Sequence, residues 1–171
     1  RARRAGIATR ACRGAIDQQP VPAALGGNDL VLCSFTLTHV ADLAAALRHA
    51  AAALRPGGLL VVCDVDYWIS VVAGDAGADA VLTSIRRRLA VRHLAAHLPR
   101  LALGQGLLPA DGLGCIDHRQ PYVGRQAVQQ QALGFVGNFH AGDPALAPWQ
   151  RIGDGARLVL HRLAHVYQRV Q

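Results

Sequence analysis

Residues 29–65 read DLVLCSFTLTHVADLAAALRHAAAALRPGGLLVVCDV, and this stretch decides the fold. Asp29 to Ser34 and Leu59 to Val65 are nearly unbroken apolar runs. Between them Leu43, Ala46, Leu47, Ala50 and Leu54 recur at helical spacing, with Asp42 in the place of an N-cap and Pro56-Gly57-Gly58 where a helix must stop. Apolar strands on both sides of a helix mark a sheet covered on two faces, joined by a right-handed crossover. The expectation is an α/β domain with a mostly parallel sheet and helices on both faces.

Outward from this unit the signals weaken. Upstream, Ala8 to Gly14 alternates small or apolar residues with Arg, which suits a short strand, and Asp17 to Gly27 is rich in turn formers. Downstream, Asp66 to Gly77 reads as a loop, Asp79 towards Leu98 as a helix that Pro99 interrupts, and Leu113 to Val123 as a strand. Gln126 to Gly134 is weakly helical and Gly137 to Pro148 a loop. Val159, Leu160, Leu163, Tyr167 and Val170 fall at helical spacing, a strand being the alternative. With no internal repeat and no shift in composition, residues 1–171 read as one domain.

Composition narrows the function classes. At 51% hydrophobic and 17% charged the chain is ordinary globular material. No apolar run approaches the ~20 residues a membrane span needs, and no leader pattern opens the chain, so the expected location is the cytoplasm. All 18 basic residues are Arg and all 11 acids are Asp, so no Lys or Glu mechanism can be placed here. The net charge of +7 invites a nucleic-acid reading. The arginines are scattered, however, and few aromatics are available to stack on bases, so no nucleic-acid partner is expected. Cys12, Cys33, Cys63 and Cys115 form no C-x-x-C pair and read as reduced thiols. His93 with His97, and His161 with His165, have the i, i+4 spacing of helical ligand pairs, but no third ligand follows in register and no metal is expected.

The chemistry belongs at the carboxyl ends of the strands, where loops and helix N-termini converge. Ser34, Thr36, Thr38 and His39 leave one strand there, and Asp64, Asp66, Tyr67 and Trp68 the next.

In this order the motifs resemble the class I S-adenosylmethionine-dependent methyltransferases, in particular the small-molecule group that includes the quinone-biosynthesis enzymes. The residues that carry the resemblance are Asp17-Gln-Gln-Pro-Val-Pro22, Asp29-Leu-Val-Leu-Cys-Ser34, Thr38-His39-Val40, and Leu54-Arg-Pro-Gly-Gly-Leu-Leu-Val-Val62. It covers about residues 5–66 and thins afterwards. It implies a Rossmann-like fold, with residues 1–66 as the cofactor-side core and 67–171 as the variable substrate side. By the same resemblance Asp17 accepts a hydrogen bond from the adenine amino group of S-adenosylmethionine, with Ile16 and Gln18 beside the ring, and Ser34 and Phe35 line its methionine end. His39 is then the candidate base or substrate-orienting group, followed by Asp64 and Asp66, while Thr38, Tyr67 and Trp68 would wall a small, partly apolar methyl acceptor.

The family's Gly-rich cofactor loop has no counterpart in this sequence. Together with the absence of Met, this leads to the expectation of a segment of a longer chain, its first strands missing and inactive alone. Two further readings stay open at this level. One is another nucleotide-binding α/β enzyme such as a reductase, and the other a non-catalytic methyltransferase-like module that binds a partner.

Overall fold

The computed structural model describes residues 13–112, 115–136 and 144–170. The strand–helix–strand unit forms as its pattern dictates. β1 (Asn28–Ser34) runs parallel to the first half of β2 (Leu54–Ala73), from Leu30 beside Leu59 to Ser34 beside Cys63. Between them, α1 (Leu43–Ala53) is capped by Asp42, whose Oδ1 accepts the Ala45 amide at 2.9 Å. At its other end Ala53 O, a carbonyl that the helix cannot satisfy itself, accepts the Asn28 side-chain amide at 2.8 Å. The helix stripe is buried on the sheet, and a fully enclosed side chain such as Leu47 contributes about 1.5–3 kcal/mol of transfer free energy.

The remaining elements are α2 (Ala76–Arg88), α3 (Leu94–Leu103), β3 (Leu107–Pro109), β4 (Cys115–Val123), α4 (Arg125–Val136) and β5 (Arg157–Arg169). Short 3-10 turns lie at Ala23–Leu25 and Pro144–Arg151.

The sheet is mixed, which corrects the expectation of a mostly parallel one. Its order is β1-β2-β5, and β3 and β4 follow one another along the far edge of β5. β1 with β2 is a parallel pair, whereas β5 runs antiparallel to β2, β3 and β4 alike. One reversed strand placed in the middle thus makes most of the pairings antiparallel, although the other strands share a direction.

The helical spacing at the chain's end has a physical origin. β5 changes its buried face halfway along. Leu158 and Leu160 join the core that Val65, Tyr67, Leu82 and Ile85 form beneath α2, while Leu163 and Tyr167 point to the opposite face, into the core made with Leu47, Leu60, Val62 and Leu98. A strand buried on different faces in its two halves cannot alternate throughout, and its apolar residues then fall at mixed intervals.

Two other boundaries differ from the sequence reading. β2 continues through the expected loop as far as Ala73, and its register against β5 slips: Asp66 pairs with His161 but Val71 with Val159. The extra residues form a bulge around Trp68, a feature that no periodicity announces. The expected helix from Asp79 towards Leu98 is divided into α2 and α3, and Pro99 lies within α3 instead of ending it. The strand expected at Ala8 to Gly14 falls mostly outside the described residues, and Arg13 and Gly14 are not in a strand.

Candidate functional site

The polar exit of β1 is built around Asp64. This carboxylate, 3% exposed, accepts the amides of Thr36 (3.1 Å), Leu37 (2.9 Å) and Val65 (2.9 Å) and the Thr38 hydroxyl (3.2 Å). Burial pushes its carboxyl above the usual carboxylate range, with the hydrogen bonds pulling the other way. Phe35 adds one more bond to the ladder, its amide donating to Cys63 O at 2.8 Å, and then turns the chain with φ 50°. The neighbouring Cys33 thiol is pushed up to about 11, by burial first and by the Asp64 charge second.

Asp66 does the same work two residues further along β2. Its Oδ1 accepts the Trp68 amide (3.0 Å) and its Oδ2 the Ala95 amide (2.9 Å), so a strand residue caps the first turn of α3. His93, at the N-cap position of α3, provides no side-chain cap and has φ 52°. Among the described residues Phe35 and His93 are the two non-glycine positions with left-handed backbone, and both stand at this end of the sheet. Such strain persists only where the surroundings enforce it.

Above the β1 exit lies an open cleft of about 530 Å³, lined by residues 14–18, by Val31 to Cys33, and by Phe35, Thr36 and His39 to Ala41. The segment before β1 is tied across it. Asp17 Oδ2 accepts the amides of Ala41 (2.8 Å) and Asp42 (3.3 Å), and His49 Nδ1 donates to Ile16 O at 2.6 Å. The Ala41 amide above all holds the Asp17 carboxyl below its ordinary value, against a smaller opposing effect of desolvation.

The structure therefore gathers Ile16, Asp17, Gln18, Phe35 and His39 around one cleft. Ser34 is exposed at its margin, its carbonyl accepting the Thr36 hydroxyl at 2.9 Å. Thr38, Asp64 and Asp66 are buried behind the loop that shapes the cleft. Tyr67 is turned to the opposite face of the sheet, buried in the core beneath α2, where desolvation raises its phenol strongly. Trp68 lies on the bulge, and the sequence reading missed its companions: the Arg92 guanidinium is 4.9 Å from its ring centroid and the His93 ring 5.7 Å away. No spacing rule could have found them, because a register slip and a helix break bring them together. His161 and His165 lie on β5, where His165 bonds Asp117 (3.1 Å) and Tyr167 (2.9 Å). Among the described residues no group of three or more His, Cys or Asp side chains is arranged to hold a metal, and no helix is long and apolar enough to cross a membrane.

Residues 12–119 match the family model described as a methyltransferase domain, well over half of the chain. Demethylmenaquinone methyltransferase of Mycobacterium marinum is 35% identical over 83 residues, which are 48% of this chain and 36% of that protein. The chain thus spans about a third of the curated relative it matches. Among solved structures, the YcgJ protein of Bacillus subtilis superposes with a TM-score of 0.61 at 14% identity, covering 99% of this chain and 75% of that one. The [4+2]-cyclase SpnF gives 0.57 at 18% identity, with 98% and 59% covered. At these identities the structural likeness speaks for the fold. By the extent of the family match, the chain belongs to the methyltransferase domain family.

Proposed function

We propose that the chain forms the cofactor- and acceptor-binding part of an S-adenosylmethionine-dependent methyltransferase of the cytoplasm, acting on a small, partly apolar molecule at O, N or C. The observation that carries this is the cleft between residues 14–18 and the β1 exit, with Asp17 on one wall and Phe35 and His39 on the other. Its size, about 530 Å³, suits a nucleoside-bearing cofactor and falls within the ~300–1,000 Å³ of small-molecule sites. Asp17 Oδ1 accepts the adenine amino group, Ile16 and Gln18 flank the ring, and Ser34 and Phe35 border the methionine end.

When bound, S-adenosylmethionine supplies a sulfonium methyl group that the acceptor displaces in line, leaving a neutral thioether. The protein aligns and desolvates, which is most of what such a reaction asks of it. Asp64 and Asp66 act as positioning residues, holding the β1 exit loop and the start of α3. His39, exposed at the cleft, receives the acceptor's proton when one must leave. Thr38 backs that wall and the bulge of β2 bearing Trp68 borders the acceptor side, with Tyr67 packing beneath it on the opposite face of the sheet, so that residues 1–66 form the cofactor side and 67–171 the acceptor side. A quinone-type ring is the finer reading of the acceptor, supported by the 35% identity to the mycobacterial enzyme.

A second reading, a partner-binding module of the same fold, is favoured by one feature: β1 pairs on one side alone among the described residues, and Leu30 and Leu32 on it are 54% and 60% exposed.

The test is transfer of a labelled methyl group from S-adenosylmethionine to a short-chain naphthoquinol by the chain within its full-length protein. Label in the naphthoquinol supports the whole reading, and label in another small acceptor the general one alone. No label in any small acceptor refutes it.

A further inference from the structure

The bulge of β2 and the linker between α2 and α3 bring together three nitrogen-bearing side chains that lack acceptors. Arg92 lies over Trp68, 4.9 Å from the ring centroid to the guanidinium carbon, and the His93 ring is tilted against the same indole at 5.7 Å and 44°. Among the described residues no carboxylate pairs with Arg92 or His93, both of which are exposed, and Trp68 Nε1 is buried without a hydrogen-bond partner. The nearby acid, Asp66, is 1% exposed and has given each oxygen to a backbone amide. An indole N–H withdrawn from water without a partner is unfavourable, so the cluster is short of an acceptor, not of a donor.

Its position ties it to the cleft. The Val91 amide donates to Thr38 O at 3.3 Å, so the next residues on each chain, His39 and Arg92, emerge at the same end of the sheet. The strained backbone of His93 fixes the direction in which its ring leaves that junction. We infer that Arg92, His93 and Trp68 form a binding site for an anionic group, a carboxylate or a phosphate, carried by the methyl acceptor. A guanidinium offers paired N–H donors to either anion, and an indole face holds the apolar carbon attached to it. The acceptor is then an amphiphile, anionic at the α3 side and apolar towards His39. This assignment rests on the methyltransferase reading for the word acceptor, but the anion site stands on its own geometry.

The experiment is a titration of the full-length protein that carries this chain with three probes: phenyl phosphate, benzoate and the neutral benzyl alcohol. Binding is read from tryptophan fluorescence and from the Trp68 indole N–H resonance, and S-adenosylhomocysteine is titrated separately by calorimetry. At least one anion is expected to bind tenfold or more tightly than benzyl alcohol and to shift the Trp68 resonance. Preference for phenyl phosphate identifies a phosphate ligand, and preference for benzoate a carboxylate. Arg92→Gln, at an exposed position, is expected to lower the anion's affinity tenfold and leave S-adenosylhomocysteine unaffected. Trp68→Phe, which keeps the apolar face and removes the N–H, is expected to weaken the anion by a smaller factor. Equal binding of all three probes, binding of none, or an unchanged affinity in Arg92→Gln overturns the inference. Failure of S-adenosylhomocysteine to bind while the anions do refutes the cofactor reading alone.

Discussion

Replacing Asp64 by alanine takes away the acceptor of three backbone amides and one hydroxyl, those of Thr36, Leu37, Val65 and Thr38, on a side chain 3% exposed. Hydrogen bonds to a charged group are worth about 1.5–3 kcal/mol each, and an orphaned buried donor costs about 1–3 kcal/mol. Summed naively these exceed what one residue delivers, because the loop relaxes and water enters. The expected loss is therefore about 3–5 kcal/mol, the range for breaking a buried charged network. That is a large part of the ~5–15 kcal/mol a domain possesses. Asp64→Asn retains one acceptor oxygen but presents an amide N–H to donors, and is expected to cost roughly 2 kcal/mol by the same reasoning. Urea unfolding followed by circular dichroism measures both, with an unchanged slope showing that the same surface is exposed. Hydrogen exchange at Leu37 locates the effect, since its amide should lose protection in the alanine variant. A loss below about 1 kcal/mol with Leu37 still protected would refute the claim that this carboxylate organises the β1 exit.

The other predictions concern separate parts of the molecule. Asp75 caps α2 through the Ala78 amide and holds the Gly153 amide, each at 2.7 Å, so Asp75→Ala should cost about 1 kcal/mol in urea unfolding, as a lost N-cap does. The carboxyls of Asp17 and Asp75 are held below their ordinary value of 3.8, chiefly by the Ala41 and Ala78 amides respectively. Their contribution is therefore complete above that value and is lost as the pH falls through the folded values, and Asp75→Asn should flatten the acid limb of a melting-temperature profile. Gly74 has φ 77° and a Cβ placed there would stand 2.6 Å from Gly155 O, so Gly74→Ala should destabilise by roughly 1–3 kcal/mol, seen as a lower thermal midpoint. In the full-length protein Asp17→Ala should weaken the cofactor more than the acceptor, whereas His39→Ala should lower turnover with cofactor affinity nearly unchanged; equal losses of cofactor affinity in calorimetry would remove that division of roles.

Local signals carried the unit from Asn28 to Val65 because everything needed to form it lies within it: apolar strands, a capping Asp42 and a helix whose stripe faces one surface. What failed was non-local. The direction of β5 depends on which strands flank it, and its apolar residues lose their alternation because two layers cover opposite faces of its two halves. The extension of β2 was hidden by Asp66 and Ser70, polar residues of loop type that are nonetheless buried, Ser70 accepting the His161 amide at 3.0 Å. For the site, the resemblance named Asp17, Phe35 and His39, which share the cleft. It also named Tyr67, and strand alternation turns that side chain to the other face from Asp64 and Asp66. Nothing in the sequence joined Arg92 and His93 to Trp68, since a register slip and a helix break bring them together.

The most direct measurement is a titration of the full-length protein that carries this chain with S-adenosylhomocysteine, followed by the backbone amide resonances of this chain's residues. The account predicts saturable shifts confined to residues 14–18 and 34–41, with α2 and the second half of β5 unmoved. Saturable binding that shifts α2 or β5 and leaves Asp17, Phe35 and His39 in place, or no binding at all, would contradict it.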